Sequence, residues 1–368
     1  MRAAILRAGA LAVDDVPEPV AGPGQVLVAT RACGICGSDL HAAQHARDLK
    51  AGSEGLFGLD FGRDVVMGHE FCAEVLDHGP ATRRTHAPGS LVCSVPWTDY
   101  HGTRENVGYS NAVPGGFGER MVLSEDLLLP VPNGLPARHA ALTEPLAVGM
   151  HAVAMARIGP DDVALVIGCG PVGLAVIEAL RLAGVRPIVA ADFSPERRRL
   201  AERLGADVVI DPAVHSPYAS WTELAAVTGA GRQTEVNPLS GQPTLRPGVF
   251  FECVGVPGVL DQMMAGAHRG CRIVVVGVCM QADTIRPLLA ITRELNLQFV
   301  LAYTVAEFAT TLRHIAEGEL AVTPLITAAV DIDRVPEMFA ELARPASQDP
   351  VAEPPVAHCK VLVEPGGG

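Results

Sequence analysis

The hydrophobic rhythm of the chain changes near residue 145. Before that point the apolar runs are short, at Val26–Thr30, Val65–Met67, Ala73–Leu76 and Leu91–Val95, and glycine, proline or polar turn residues bound each one. Such closely punctuated runs predict a small, mainly β, barrel-like domain with functional loops. Met1–Leu6 reads as a first strand and not as a signal peptide, because Arg7 cuts the apolar run and Asp14-Asp15 follow at once. After residue 145 six β-rich runs appear, at Val163–Ile167, Ile188–Ala191, Val208–Ile210, Val249–Glu252, Arg272–Val276 and Leu297–Leu301. Helical patterns fall between and after them, at Pro171–Ala183, Pro195–Leu204, Val259–Ala267 and Glu307–Glu317. Strands alternating with helices predict an α/β fold, a doubly wound parallel sheet of the Rossmann type covered on both faces.

Boundary residues support this reading. Ser194 can cap a helix that opens with Pro195, and Gly205 can close it. Segments 231–247 and 345–357, the latter with four prolines, read as inserted surface loops. At 368 residues the chain most simply makes two domains.

Composition narrows the partners. With 49% hydrophobic and 19% charged residues the chain is globular. A net charge of −13 excludes nucleic acid and anionic membrane surfaces as natural partners. No apolar run reaches about 18 residues, so no membrane span is expected. Nine scattered cysteines, an odd number, suit reduced thiols and a cytoplasmic setting better than a disulfide framework. Lys50 and Lys360 are the only lysines, a bias that by itself indicates no chemistry.

Two motifs carry chemistry. The first is Cys33-Gly34-Ile35-Cys36-Gly37-Ser38-Asp39-Leu40-His41, followed by Gly68-His69-Glu70. It gathers a thiolate, imidazoles, carboxylates and a hydroxyl, the ligand types of a catalytic zinc ion. Taken singly, Cys33 and Cys36 could be small buried residues and His69 a hydrogen-bonded core histidine. The second motif, Gly168-Cys169-Gly170-Pro171-Val172-Gly173, joins a predicted strand to a predicted helix. In that setting Gly168 permits a tight turn, Gly170 lets a pyrophosphate approach, and Gly173 lets the helix pack on the sheet. Pro171 and Val172 open the helix, whose N-terminus attracts phosphate. Asp192, at the end of the next strand, is placed to accept from ribose hydroxyls. Its charge favours NAD over NADP, although Arg197 is a nearby cation that could accommodate a 2′-phosphate.

Together these motifs resemble the zinc-dependent medium-chain alcohol dehydrogenase superfamily, over nearly the whole chain. The resemblance implies a GroES-like catalytic domain at 1–147, an NAD-binding domain at 148–302, and a C-terminal return at 303–368 that completes the first. It implies one catalytic zinc per chain, with Cys36 and His69 as ligands. Thr143-Glu144-Pro145-Leu146 looks like the carboxylate version of the third ligand, found in the sorbitol, butanediol and threonine dehydrogenase branches. Glu70 and Glu144 are thus both candidates, one binding directly and the other exchanging with water or standing behind. Asp39 would accept from the other N–H of His69. Ser38 would relay the substrate proton through the nicotinamide ribose to His41, three residues on. The resemblance also implies a homodimer or homotetramer. The chain departs from the family in having only Cys93 between residues 88 and 120, so the four-cysteine structural zinc site is expected to be absent. The interval from Cys36 to His69 is longer than usual, and segment 45–64 within it contains Phe57, Leu59 and Phe61.

The chemistry explains the ligand set. A neutral histidine facing an alcohol is mismatched by roughly 12–13 kcal/mol as a base, so a zinc-bound alkoxide with NAD taking the hydride is the expected route. The reading is therefore an NAD-dependent dehydrogenase of a small alcohol or polyol, most simply a secondary one, and its ketone. A zinc-free enone or quinone reductase of the same superfamily, which needs no ligands at Cys36 and His69, is one alternative. A non-catalytic dinucleotide-binding protein is the other. The pocket residues, Trp97, Phe57 and Phe117 among the candidates, are not placed by sequence, so the substrate itself is not readable.

Overall fold

The computed structural model describes residues 1–7, 9–45, 59–60, 62–226, 245–344 and 358–366. They form two compact units, Met1–Glu144 with Phe308–Gly368, and Pro145–Glu307. The expected loop 345–357, most of 231–247 and most of 45–64, with Phe57 and Phe61, lie outside the described residues.

The first unit is organised around strand Gln25–Gly34. Sequence patterning ends this strand at Thr30, because Arg31 interrupts the apolar run. The strand continues because Arg31 turns outward and pairs with Glu74 of the neighbouring strand at 2.8 Å. The sheet runs in the order Leu128–Pro130, Leu91–Ser94, Glu70–His78, Gln25–Gly34, Lys360–Val363, Ile326–Val330. Arg120–Ser124 also pairs with the central strand. All pairings are antiparallel except Ile326–Val330 with Lys360–Val363. A three-stranded sheet of Ala10–Asp15, Arg2–Arg7 and Val65–Val66 completes the mainly β unit with the hairpin Trp97–Tyr100 and Thr103–Asn106. Its core includes Phe71, Met121, Leu59 and Phe117, and Phe117 meets Phe339 edge-on at 5.9 Å. Phe117, which the sequence does not place, is a core residue.

The second unit is a six-stranded parallel sheet. Its order is Val208–Ile210, Ile188–Ala191, Val163–Ile167, Gly248–Glu252, Arg272–Val275, Asn296–Phe299. In chain order the strands read 3-2-1-4-5-6, the doubly wound arrangement, and the order reverses between Val163–Ile167 and Gly248–Glu252. Helices Pro171–Leu182, Pro195–Leu204, Pro217–Ala226, Val259–Gly266 and Pro287–Arg293 connect the strands. The central strands are apolar up to Glu252 at the end of Gly248–Glu252, because Leu165, Val166, Phe250 and Phe251 are buried. Ser194 caps its helix by accepting from Arg197 N at 3.3 Å, and Gly205 ends it at φ +119°. Strand Asn296–Phe299 is an edge, and it stops two residues short of the expected Leu301.

Candidate active site

The site in the first unit is assembled by three neighbouring strands. Gly34 stands opposite Glu70 across one pairing and opposite Leu362 across the other, and Ile35 N donates to Val361 O at 2.9 Å. This register brings Glu70 and Lys360 together beside the end of the central strand. Lys360 Nζ donates to both carboxylate oxygens of Glu70 at 2.7 Å and to Ile35 O at 3.1 Å. Both side chains are buried. Burial alone would lower the lysine pKa, but the Glu70 carboxylate overrides it and holds the ammonium above its ordinary range. Gly34 makes room for the pair: a Cβ there would stand 1.9 Å from Glu70 Oε2.

Just beyond Gly34 the chain turns into helix Gly37–His45, with Cys36 at its start. Asp39 reaches back to accept from Cys36 N at 3.0 Å, half of a capping box. Asp39 is fully buried, and its Oδ1 lies 3.3 Å from His69 Nδ1, a contact looser than a full hydrogen bond. That leaves His69 Nε2 as the nitrogen available to a metal. Gly68 at φ +97° delivers His69; a Cβ there would stand 2.8 Å from Phe117 N. Burial opposes a charged His69, but Asp39 and then Cys36 outweigh it, so its pKa stands well above the usual value. The neighbours of His69 thus favour a positive charge at this place.

Ligand atoms of Cys36, His69 and Glu70 all lie within 4.8 Å of one another. Tetrahedral zinc bonded at about 2.0–2.3 Å has ligand–ligand edges of about 3.3–3.8 Å, so small side-chain adjustments would close the set on a metal. The donor types and the buried, cation-seeking surroundings fit zinc. Glu144, the second residue of helix Thr143–Ala156, is buried but does not belong to this group of three.

Ser38 and His41 follow Cys36 on the same helix, both half-buried. Ser38 Oγ accepts from Tyr109 Oη at 2.7 Å, and the same phenol reaches Asp39 Oδ1 at 3.1 Å. Burial first, then the Asp39 charge, push the Tyr109 phenol above its ordinary pKa, so it stays protonated. Tyr109 and Lys360 were not identified from sequence. One of only two lysines, set in the apolar run Lys360–Val363, was the available signal for Lys360. Tyr109 has no local signal, since only the folding of its loop against Gly68 brings it in.

In the second unit the glycine turn leaves strand Val163–Ile167 at the point where strand order reverses. Gly168 sits at φ +93°, and a Cβ on Gly173 would stand 1.8 Å from Gly168 O. Gly170 N-caps helix Pro171–Leu182, whose first residues are Pro171 and Val172, and a Cβ there would meet nothing nearer than Arg197 Nη1 at 4.0 Å. Asp192 does more than sequence reading assigned to it. Its Oδ2 accepts from Cys169 N and its Oδ1 from Ser194 N, both at 2.8 Å, so it pins the turn to the helix that follows. Arg197 Nη1 is 4.0 Å from Asp192 Oδ2, and Arg197 Nε is buried without a hydrogen bond.

Two family models match the chain. Residues 22–133 match the family described as alcohol dehydrogenase GroES-like domain, and residues 171–317 the family described as zinc-binding dehydrogenase. The (R,R)-butanediol dehydrogenase of Bacillus subtilis (strain 168) is 31% identical over 362 residues, covering 96% of each chain. A crystal structure of 2R,3R-butanediol dehydrogenase from Bacillus subtilis aligns over 99% of both chains, with TM-score 0.78 and 29% identity. A Sinorhizobium meliloti 1021 protein solved bound to NADP aligns over 99% of both, with TM-score 0.77 and 26% identity.

Proposed function

The chain belongs to the zinc-dependent medium-chain alcohol dehydrogenase superfamily, and from that premise we propose that it oxidises a secondary alcohol or polyol to the ketone with NAD. The grouping of Cys36, His69 and Glu70 in a chain that also carries the Gly168–Gly173 turn is the observation that carries this reading. A zinc-free reductase would have no use for that grouping. We assign the metal and proton chemistry to the unit 1–144 with 308–368, and dinucleotide binding to 145–307.

Cys36 and His69 would hold zinc, with Glu70 the carboxylate near enough for the third place and Glu144 the residue to exchange with it. Zinc there supplies a Lewis acid that lowers the pKa of the alcohol hydroxyl, and the nicotinamide supplies the hydride acceptor. Asp39 fixes the orientation of His69, and Lys360 holds the charge of Glu70 in place. Ser38 would take the hydroxyl proton at Oγ as it gives up its own, and His41 would pass a proton on to solvent. Gly168, Gly170, Pro171, Val172 and Gly173 cradle the pyrophosphate at the helix N-terminus.

Asp192 supports NAD over NADP, because a 2′-phosphate beside it would meet a like charge. Arg197 opposes that preference, so the ratio of kcat/KM for the two cofactors measures the balance. A higher value with NADP would overturn the preference, and Asp192→Ala should narrow the gap. The nine free cysteines suit a reducing, cytoplasmic setting, and no helix among the described residues is long and apolar enough to cross a membrane. For assembly we propose a homodimer or a tetramer built from one, through the edge strand Asn296–Phe299. Phe299 in that strand is 64% exposed and Leu301 just beyond it 71%, and Leu288 and Ile291 of the preceding helix are 68% and 71% exposed.

Screening vicinal diols, polyols, amino alcohols and simple secondary alcohols by NADH absorbance tests the reaction. NADH production from at least one class is expected. Turnover confined to conjugated enones would establish the reductase reading instead.

A further inference from the structure

We propose that Tyr109 is a positioning residue for proton transfer, acting through Ser38 by setting which way its hydroxyl points. The proposal rests on the dehydrogenase reading and goes beyond it, since neither motif contains Tyr109.

Three glycines deliver the side chain. Gly108, at φ +87°, packs so closely on Gly68 that a Cβ would stand 2.8 Å from the Gly68 carbonyl. A Cβ on Gly115 would stand 2.5 Å from Met67 O and 2.6 Å from Gly108 Cα. Backbone therefore lies on backbone, and Tyr109 N is tied to Asn106 O at 3.0 Å. The ring sits beside His69 with centroids 5.1 Å apart, and Tyr109 is only 7% exposed. An aromatic spacer would need no hydroxyl. This one carries Oη to Ser38 Oγ and Asp39 Oδ1, at 2.7 and 3.1 Å.

The phenol has one proton, and both Ser38 Oγ and Asp39 Oδ1 lie within its reach among the described residues, so its direction has consequences. A carboxylate only accepts, so when the phenol donates to Asp39, Oη must accept from Ser38 and the serine proton points into the protein. When the phenol donates to Ser38 Oγ, the serine proton is released toward another acceptor. A relay residue needs both states, receiving a proton on one side and giving one on the other. Tyr109 lets Ser38 pass between them by rotation of hydroxyl hydrogens alone, with Oγ held in one rotamer.

The test uses the zinc-loaded full chain with Tyr109→Phe, which keeps the ring and removes only Oη. Zinc content should be unchanged and kcat should fall about 3- to 10-fold, the worth of one hydrogen bond, with KM for NAD unaltered. In a Ser38→Ala background the same substitution should cost nothing further. Crystal structures of the two zinc-loaded proteins give a readout independent of turnover, with Ser38 Oγ in one rotamer in the wild type and in more than one in Tyr109→Phe. Wild-type kcat in Tyr109→Phe would overturn the proposal, as would an undiminished loss in the Ser38→Ala background, a parallel loss of zinc, or an unchanged Ser38 rotamer. If the wild type oxidises no alcohol, the dehydrogenase reading fails instead, and the rotamer comparison alone decides whether Tyr109 orients Ser38.

Discussion

Lys360 sits in the core because Glu70 is there, and each would be costly alone. Lys360→Met leaves a carboxylate buried without its counter-charge, and the expected destabilisation is about 3–5 kcal/mol, read from the denaturant midpoint of the metal-free protein. Lys360→Arg, which keeps the charge, should lose less. His69 makes a second prediction at this scale. Its pKa is raised, so the metal-free protein draws stability from the imidazolium below the unperturbed value of about 6.5 and loses it as pH rises through the raised one. A metal must displace that proton, so zinc affinity should weaken as pH falls, and calorimetry in buffers of different ionisation enthalpy should record at least one proton released per zinc at pH 7. Affinity independent of pH between 6 and 8 would contradict this. Glu70 and Glu144 separate by the same means: loss of zinc in Glu70→Gln but not in Glu144→Gln assigns the third place to Glu70, and the reverse assigns it to Glu144.

At the scale of the element, the glycine turn and its anchors are the sharpest case. Gly173→Ala would drive a methyl into Gly168 O at 1.8 Å, so helix Pro171–Leu182 could no longer pack against its strand. Its NADH affinity, followed by nicotinamide fluorescence, should fall by tenfold or more, whereas Gly170→Ala, facing open space, should fold normally and weaken binding only by crowding the phosphates. Elements like these were legible in the sequence. Strands Val163–Ile167, Ile188–Ala191 and Val208–Ile210 and helix Pro195–Leu204 have the predicted ends, because buried parallel strands are continuous apolar runs and the helix has a serine cap and a closing glycine. The apolar pattern of strand Gln25–Gly34 ends at Thr30, because the cross-strand ion pair that carries Arg31 within the strand has no local sequence signal. Within the site, Cys36, His69 and Glu70 were legible from ligand types and motif spacing, and the structure brings them together. Lys360, separated from Glu70 by 290 residues, and Tyr109, 71 residues from Ser38, enter only through strand pairing and loop packing.

At the scale of the whole molecule, the edge strand Asn296–Phe299 leaves Phe299 exposed, with Leu301 just beyond it and Leu288 and Ile291 of the preceding helix exposed as well. Such an edge invites pairing unless it is covered. Phe299→Asp with Leu301→Asp should reduce the molecular mass in sedimentation to that of one chain; a wild type that is already monomeric would remove the assembly proposal and leave the chemistry untouched.

The central claim is that a metal held by Cys36 and His69 drives alcohol oxidation. The most direct measurement pairs zinc content with NADH production, before and after chelation and in His69→Ala. The account predicts one zinc per chain in the wild type, loss of both zinc and NADH production in the treated and substituted proteins, and recovery of the chelated enzyme on adding zinc. Metal-free protein that still oxidises the alcohol at the wild-type rate would contradict it.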